Sequence, residues 1–210
     1  MEKSWQDVLD RFHYGIYLVT IAADGLYNGM IASWVAQCSH TPPLITLAIR
    51  KNRLSHDQIM QTGRFTYGIY MVSVASDGMY NRMIASWVVQ CSSDPPLIAL
   101  AIRKNRMSHS QILGSGSFTV NVLPRTYLSG IARFKAPDWR RKFDGVDYEL
   151  SPAGNPVIKG ALGYLDCVVE RAVDTGDHTL FIGRVTGGAV KGEGEALDTT
   201  QYPGRYRGDR

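Results

Sequence analysis

Two short basic runs, each leading into a Ser-His pair, are the residues best suited to chemistry. Arg103-Lys104-Asn105-Arg106 precedes Ser108 and His109, and Arg50-Lys51-Asn52-Arg53 precedes Ser55 and His56 at the same spacing. Three residues after each Ser stands a Gln (Gln111 and Gln58), the pattern of a capping box at a helix start. A helix N-terminus presents unpaired amide donors and a partial positive charge. A capped start beside Lys104 and Arg106, or beside Lys51 and Arg53, therefore suits a phosphate. The same residues also read as an ordinary capped surface helix with its cations in water, and the spacing leaves both readings open. A second stretch, Asn28-Gly29-Met30-Ile31-Ala32-Ser33-Trp34, is matched by Asn81, Met83, Ala85, Ser86 and Trp87. Small and hydroxyl residues beside an aromatic let a flat ligand approach a strand, and an ordinary barrel wall would look the same. The third is Gly176-Asp177-His178-Thr179 at a strand entrance, where His178 suits hydrogen bonding or acid–base work or a purely structural bond. Ser55-His56 is not a nucleophile–base pair, because adjacent residues rarely reach that geometry and no third group orients them.

The elements that must position these residues follow from periodicity. Residues 4–12 have apolar positions at helical spacing. Residues 15–22 read as a strand ending at the hairpin signal Ala23-Asp24-Gly25. Residues 27–39 read as one strand, with Met30, Ala32, Trp34, Ala36 and Cys38 on one face. Pro42-Pro43 breaks it, and residues 44–49 form a third strand. A helix opened by Ser55 closes at Gly63, and a strand resumes at Phe65. The second copy repeats this order, with Ser108 and Gln111 as its box and Gly116 as its stop. Beyond it come a strand over 119–125, a helix over 127–134, and strands over 161–172 and 179–185 joined by a turn at 174–177. Many short strands with regular turns indicate an antiparallel barrel.

Composition narrows the classes. With 210 residues, 44% hydrophobic, the chain suits one domain or one domain with an appendage. No apolar run is long enough for a membrane helix, and the charged, amphipathic start is not that of a signal peptide, so a cytoplasmic protein with no membrane partner is expected. Three cysteines without CxxC spacing argue against a disulfide framework or a zinc site, and no metal is expected. The net charge of +4 lies in short patches without a recognition motif, which disfavours nucleic acid.

The chain contains itself twice. Tyr14–Phe65 and Tyr67–Phe118 align without a gap, with 36 of 52 positions identical. Two copies are too few for a solenoid.

NGMIASWVAQCS, PPLITLAI, KNRLSHDQI, FTVNVL, RRKFDGVDYELSPAGNPVIKGALGYLDCVVE, TGDHTLFIGRV and YPGRYRG occur in order over nearly the whole chain. Together they resemble the flavin reductase-like family of FMN-binding split barrels, which includes flavoredoxins and the small reductase components of two-component monooxygenases. The resemblance implies a homodimer holding FMN near its subunit interface. The strand matching Asn28–Val35 would line the isoalloxazine, and Lys51–His56 would bind the phosphate. Gly176-Asp177-His178 would meet the nicotinamide of NAD(P)H, and Lys142 and Tyr206 would lie near the flavin. It implies hydride transfer to flavin and onward to free flavin, oxygen or a partner protein. The alternatives are an FMN-binding electron carrier with little reductase activity, and a scaffold in which the repeat alters assembly. Family members have the repeated unit once. Residues 1–13 are therefore expected as a helix, 14–66 as an extra or swapped unit, and 67–210 as the split barrel, closed by the second copy. The first copy is expected to pair with another subunit.

Overall fold

The computed structural model of the chain describes residues 6–23, 26–40, 43–48, 68–128, 131 and 139–198. Its N-terminal helix α1 spans Gln6–Leu9, and the repeated unit then forms the same hairpins twice. In the first copy β1 (Tyr17–Ala23) pairs with β2 (Leu26–Ala32), and β3 (Val35–His40) with β4 (Pro43–Leu47). In the second, β5 (Tyr70–Ser76) pairs with β6 (Met79–Ala85), and β7 (Val88–Ser93) with β8 (Pro96–Arg103). The registers are equivalent: Tyr17 faces Ala32 as Tyr70 faces Ala85, and Val35 faces Leu47 as Val88 faces Leu100. The same bulge falls at Gln37/Ser39 and at Gln90/Ser92. Closely similar local sequence has produced equivalent strand pairing.

The surroundings of the two copies differ. Helix α2 (Met107–Ser115), β9 (Ser117–Val122), the small β10–β11 ladder (Tyr148–Leu150 with Pro156–Ile158), β12 (Gly163–Asp174) and β13 (His178–Val190) complete the elements. One antiparallel sheet has the order β6-β5-β9-β12-β13-β8-β7, while β1–β2 and β3–β4 remain separate two-stranded ladders. The outer strands β6 and β7 are consecutive in the chain, separated only by Ser86 and Trp87. Laid flat, seven strands would hold those edges about 29 Å apart, yet the linker spans about 11 Å at most. The sheet must therefore curl until its edges meet, giving a barrel whose edge strands are joined by chain and not by a ladder.

Its interior is filled by Tyr70, Val72, Ile98, Leu100, Phe118, Val120, Leu165 and Phe181, with Leu9 and Phe12 packed in the same cluster. A second cluster (Ile69, Met71, Leu123, Ile131, Ile158, Leu197) backs the outer face of β5. The first copy lacks that cover: Ile16 and Leu18, equivalent to Ile69 and Met71, are 79% and 66% exposed. Its β3 does find a surface, for Ala36 packs with Val89 and Ala99, and Trp34, Leu180 and Ile182 lie against them.

Three sequence expectations need correction. The strand expected over 27–39 breaks at Ser33-Trp34, between two separate ladders, as its equivalent does at Ser86-Trp87, where the curled sheet passes from one edge to the other. Ser108 does not cap α2. The cap is Arg106, in an extended conformation and without a side-chain cap bond. Residues 125–128 form a 3₁₀ turn where a longer helix was expected, and most of 129–138 lies outside the described residues. The stop at Gly116 is as read: its φ of 68° is left-handed and its N–H reaches Ile112 O. Asp77 and Gly78 both have positive φ, the geometry of a two-residue type I′ hairpin.

Candidate functional site

Strand β6 carries Asn81, Arg82 and Met83, and α2 lies against them. Asn81 Nδ2 donates to Gln111 Oε1 at 2.6 Å, and Ser108 Oγ contacts Met83 Sδ at 3.0 Å. Asn81, Gln111 and Ser108 are all buried. The two residues read as a capping box are thus spent on tertiary contacts, which outcompete a local cap in a buried seam. Fixing α2 this way brings its N-terminal Arg106 toward β6. From the far side, the turn after the 3₁₀ helix Trp139–Arg141 brings Lys142, whose Nζ donates to Arg82 O at 3.1 Å. The Arg82 side chain is buried, its guanidinium carbon 5.0 Å from the centre of the Phe143 ring. Burial, and then the like charges of Arg106 and Arg82, hold the Lys142 ammonium below its usual pKa. Strand, helix cap and turn together gather three cations.

Next to this lies a histidine-bearing half, and α2 borders both. His178 opens β13 opposite Arg103 at the end of β8. Its ring lies 4.7 Å from that of Trp87, the aromatic of the barrel joint, and Nδ1 lies 2.7 Å from Asp177 Oδ1. His109, in the first turn of α2, places Nε2 2.8 Å from Thr179 Oγ1 and its ring edge against Phe181. Burial and then the charge of Lys104 hold its pKa below the ordinary value, which favours the neutral imidazole. Lys104 turns away from the helix start. Its Nζ pairs with exposed Asp174 at 2.6 Å, and its backbone N–H reaches Asp177 O.

The expected site residues therefore divide. Asn81, Met83, Ser108, Arg106 and Lys142 lie about the contact of β6 with α2, while Trp87, His109 and His178 lie about the start of β13, with Ala85 and Ser86 leading into the joint. Met30 and Ala32 lie with Asn28 on β2, which is hydrogen-bonded to β1 and not to the large sheet. Ser33 is half-buried at the first copy's joint, and Trp34 packs behind β7 and β8. Lys51, Arg53, Ser55, His56 and Tyr206 lie outside the described residues. Arg82, Gln111 and Thr179 stand beside these residues although none of the three was expected to belong to the site. Arg82 left a signal, since it stands mid-strand where the first copy has Gly29. The thiols are unsuited to nucleophilic work: burial raises Cys91 to about 11 and Cys167 higher still.

A profile of the flavin reductase like domain matches residues 9–67 and again 62–208. The chain is 36% identical over 147 residues to the high molecular weight rubredoxin of Moorella thermoacetica, an alignment covering 68% of this chain and 64% of that one. It is 34% identical over 146 residues to the flavin-dependent monooxygenase reductase subunit HsaB of Rhodococcus jostii, covering 70% of this chain and 73% of the relative. Among solved structures, the NADH:FAD oxidoreductase SgcE6 of Streptomyces globisporus, in complex with NAD and FAD fragments, superposes with a TM-score of 0.61. That match has 27% identity and covers 69% of this chain and 88% of the other.

Proposed function

Because the chain belongs to the flavin reductase like family, we propose that it binds FMN in the seam between β6 and α2 and reduces it with NAD(P)H. The observation that carries this reading is the cation locality. Burial first, and then the charges of Arg106 and Arg82, disfavour the Lys142 ammonium when no anion is beside it. A phosphate placed between Arg106 and Lys142 takes charge-assisted hydrogen bonds from both and offsets the positive charge gathered there. Asn81, Met83, Ala85, Ser86 and Trp87 then form the wall along which the flat ring lies. When bound there, FMN would supply the hydride acceptor for reduced nicotinamide, which would leave as NAD(P)+, and a two-electron store for free flavin, oxygen or a redox partner protein. His178 meets the nicotinamide side, held beside Trp87. The protein's own part is to place two planar groups together and to set the charge around them.

On this reading residues 67–210 carry the working site and residues 14–66 are an extra unit. The exposed Ile16, Leu18 and Ile31 (67–79% exposed except Leu18 at 66%) support assembly with further copies, since such an apolar face is rarely left in water. Titration with FMN tests the site. Arg106→Ala should weaken binding about 10- to 100-fold, the worth of one charge-assisted contact. An affinity unchanged by that substitution would remove the phosphate from α2.

A further inference from the structure

The first copy reaches into the histidine half of the site. Ser39, on its β3, is completely buried, and its Oγ donates to Asp177 Oδ1 at 2.8 Å. The same oxygen lies 2.7 Å from His178 Nδ1. An ionised carboxylate can only accept, so both groups donate to it: a serine hydroxyl on one side, an imidazole N–H on the other. The backbone of β3 is tied to the same turn, because Thr175 Oγ1 lies 3.2 Å from Cys38 O and 3.1 Å from His178 O. Gln37 Nε2 donates to Ser39 O at 3.0 Å, at the bulge that turns this stretch of β3.

We infer that Ser39 is a positioning residue for His178, acting through Asp177 and supplied by the first copy of the repeat. Asp177 stands on a turn, with its side chain 32% exposed against 7% for His178. A carboxylate in that place has water to turn toward, and the buried Ser39 hydroxyl is a fixed donor that holds it against the ring. Held there, it keeps the proton on Nδ1 and the acceptor lone pair on Nε2. The repeat thereby becomes part of the site. The inference takes from the proposed function only the role of His178 at the nicotinamide, and the bond network stands without it.

The test uses the full-length protein with FMN added. Long-range nitrogen–proton NMR reports the His178 tautomer, assigned by comparison with His178→Gln. The wild type should show a single Nδ1-protonated ring. Ser39→Ala should move the ring nitrogens toward the averaged tautomer positions. It should also lower kcat for NAD(P)H oxidation about tenfold with FMN affinity unchanged, as loss of orientation does. Ser39→Thr, which keeps the hydroxyl, should restore both. Asp177→Asn, at an exposed turn, should disturb the ring in the same way and decides the matter if the alanine variant does not fold. Wild-type ring resonances in Ser39→Ala or in Asp177→Asn overturn the inference, as does equal damage by Ala and Thr. A chain that oxidises no NAD(P)H but shows the Ser39-dependent tautomer retains the positioning role and loses the reductase reading.

Discussion

Lys142 is the residue whose protonation reports most directly on the anion site. Its folded pKa lies below the ordinary 10.5 because burial and the charges of Arg106 and Arg82 disfavour the ammonium. Below the depressed value both folded and unfolded chains carry the proton, so Lys142 weakens the empty protein by its full amount. That loss is recovered as pH rises from the depressed pKa toward 10.5, where the unfolded chain binds more protons. A phosphate reverses the preference and favours the ammonium. FMN binding should therefore take up a proton within that window, and affinity should fall as pH rises through it. Lys142→Met should remove that slope while weakening binding at neutral pH. Equal slopes for the two proteins, measured by titration across the alkaline range, would separate Lys142 from the ligand.

Among the elements, those governed by local chemistry were legible and those governed by closure were not. The Asp-Gly hairpin turn and the Gly116 stop could be read because left-handed backbone demands few residue types. The break at Ser86-Trp87 could not, since the alternation of side chains runs through it and only the meeting of the barrel edges creates it. The capping box misled for a related reason: Ser108 and Gln111 have the right spacing, but α2 is packed on β6 and the buried partners Met83 and Asn81 claim them. That helix start could be read from sequence as a candidate anion site, whereas the burial of Arg82 near it depended on the fold. Packing between elements makes its own prediction at Gly183 on β13. A Cβ there would stand 2.6 Å from Phe118 Cζ and 3.0 Å from Cys167 Cβ, inside the barrel core. Gly183→Ala should cost about 1–3 kcal/mol, the range for overpacking. Urea unfolding should show a lower midpoint at unchanged slope, and an unchanged midpoint would mean that the core yields freely.

For the molecule as a whole, the account rests on where the two ends of the first copy lie. His13 stands 4.0 Å from the Asp198 carboxylate and Gly68 pairs with the Asp198 backbone, while the Phe12 ring is 4.6 Å from that of Tyr70. Residues 14–66 thus leave and re-enter the barrel at one spot, as a tolerated insertion does. Excising them would join His13 to Tyr67, which brings the residue type of Tyr14 back to its place. The shortened chain should fold and bind FMN, and failure of a soluble product to bind it would return the flavin to the first copy. It should also be slower in turnover, since Ser39 leaves with the insert. The most direct test of the central claim is a single turnover without oxygen. The full-length protein, loaded with FMN, is mixed with NADH or NADPH while flavin and nicotinamide absorbance are followed together. The account predicts that the flavin bleaches as one nicotinamide is oxidised per flavin, far faster than FMN free in the same buffer. Flavin that stays oxidised with both nucleotides, or bleaches no faster than the free cofactor, contradicts it.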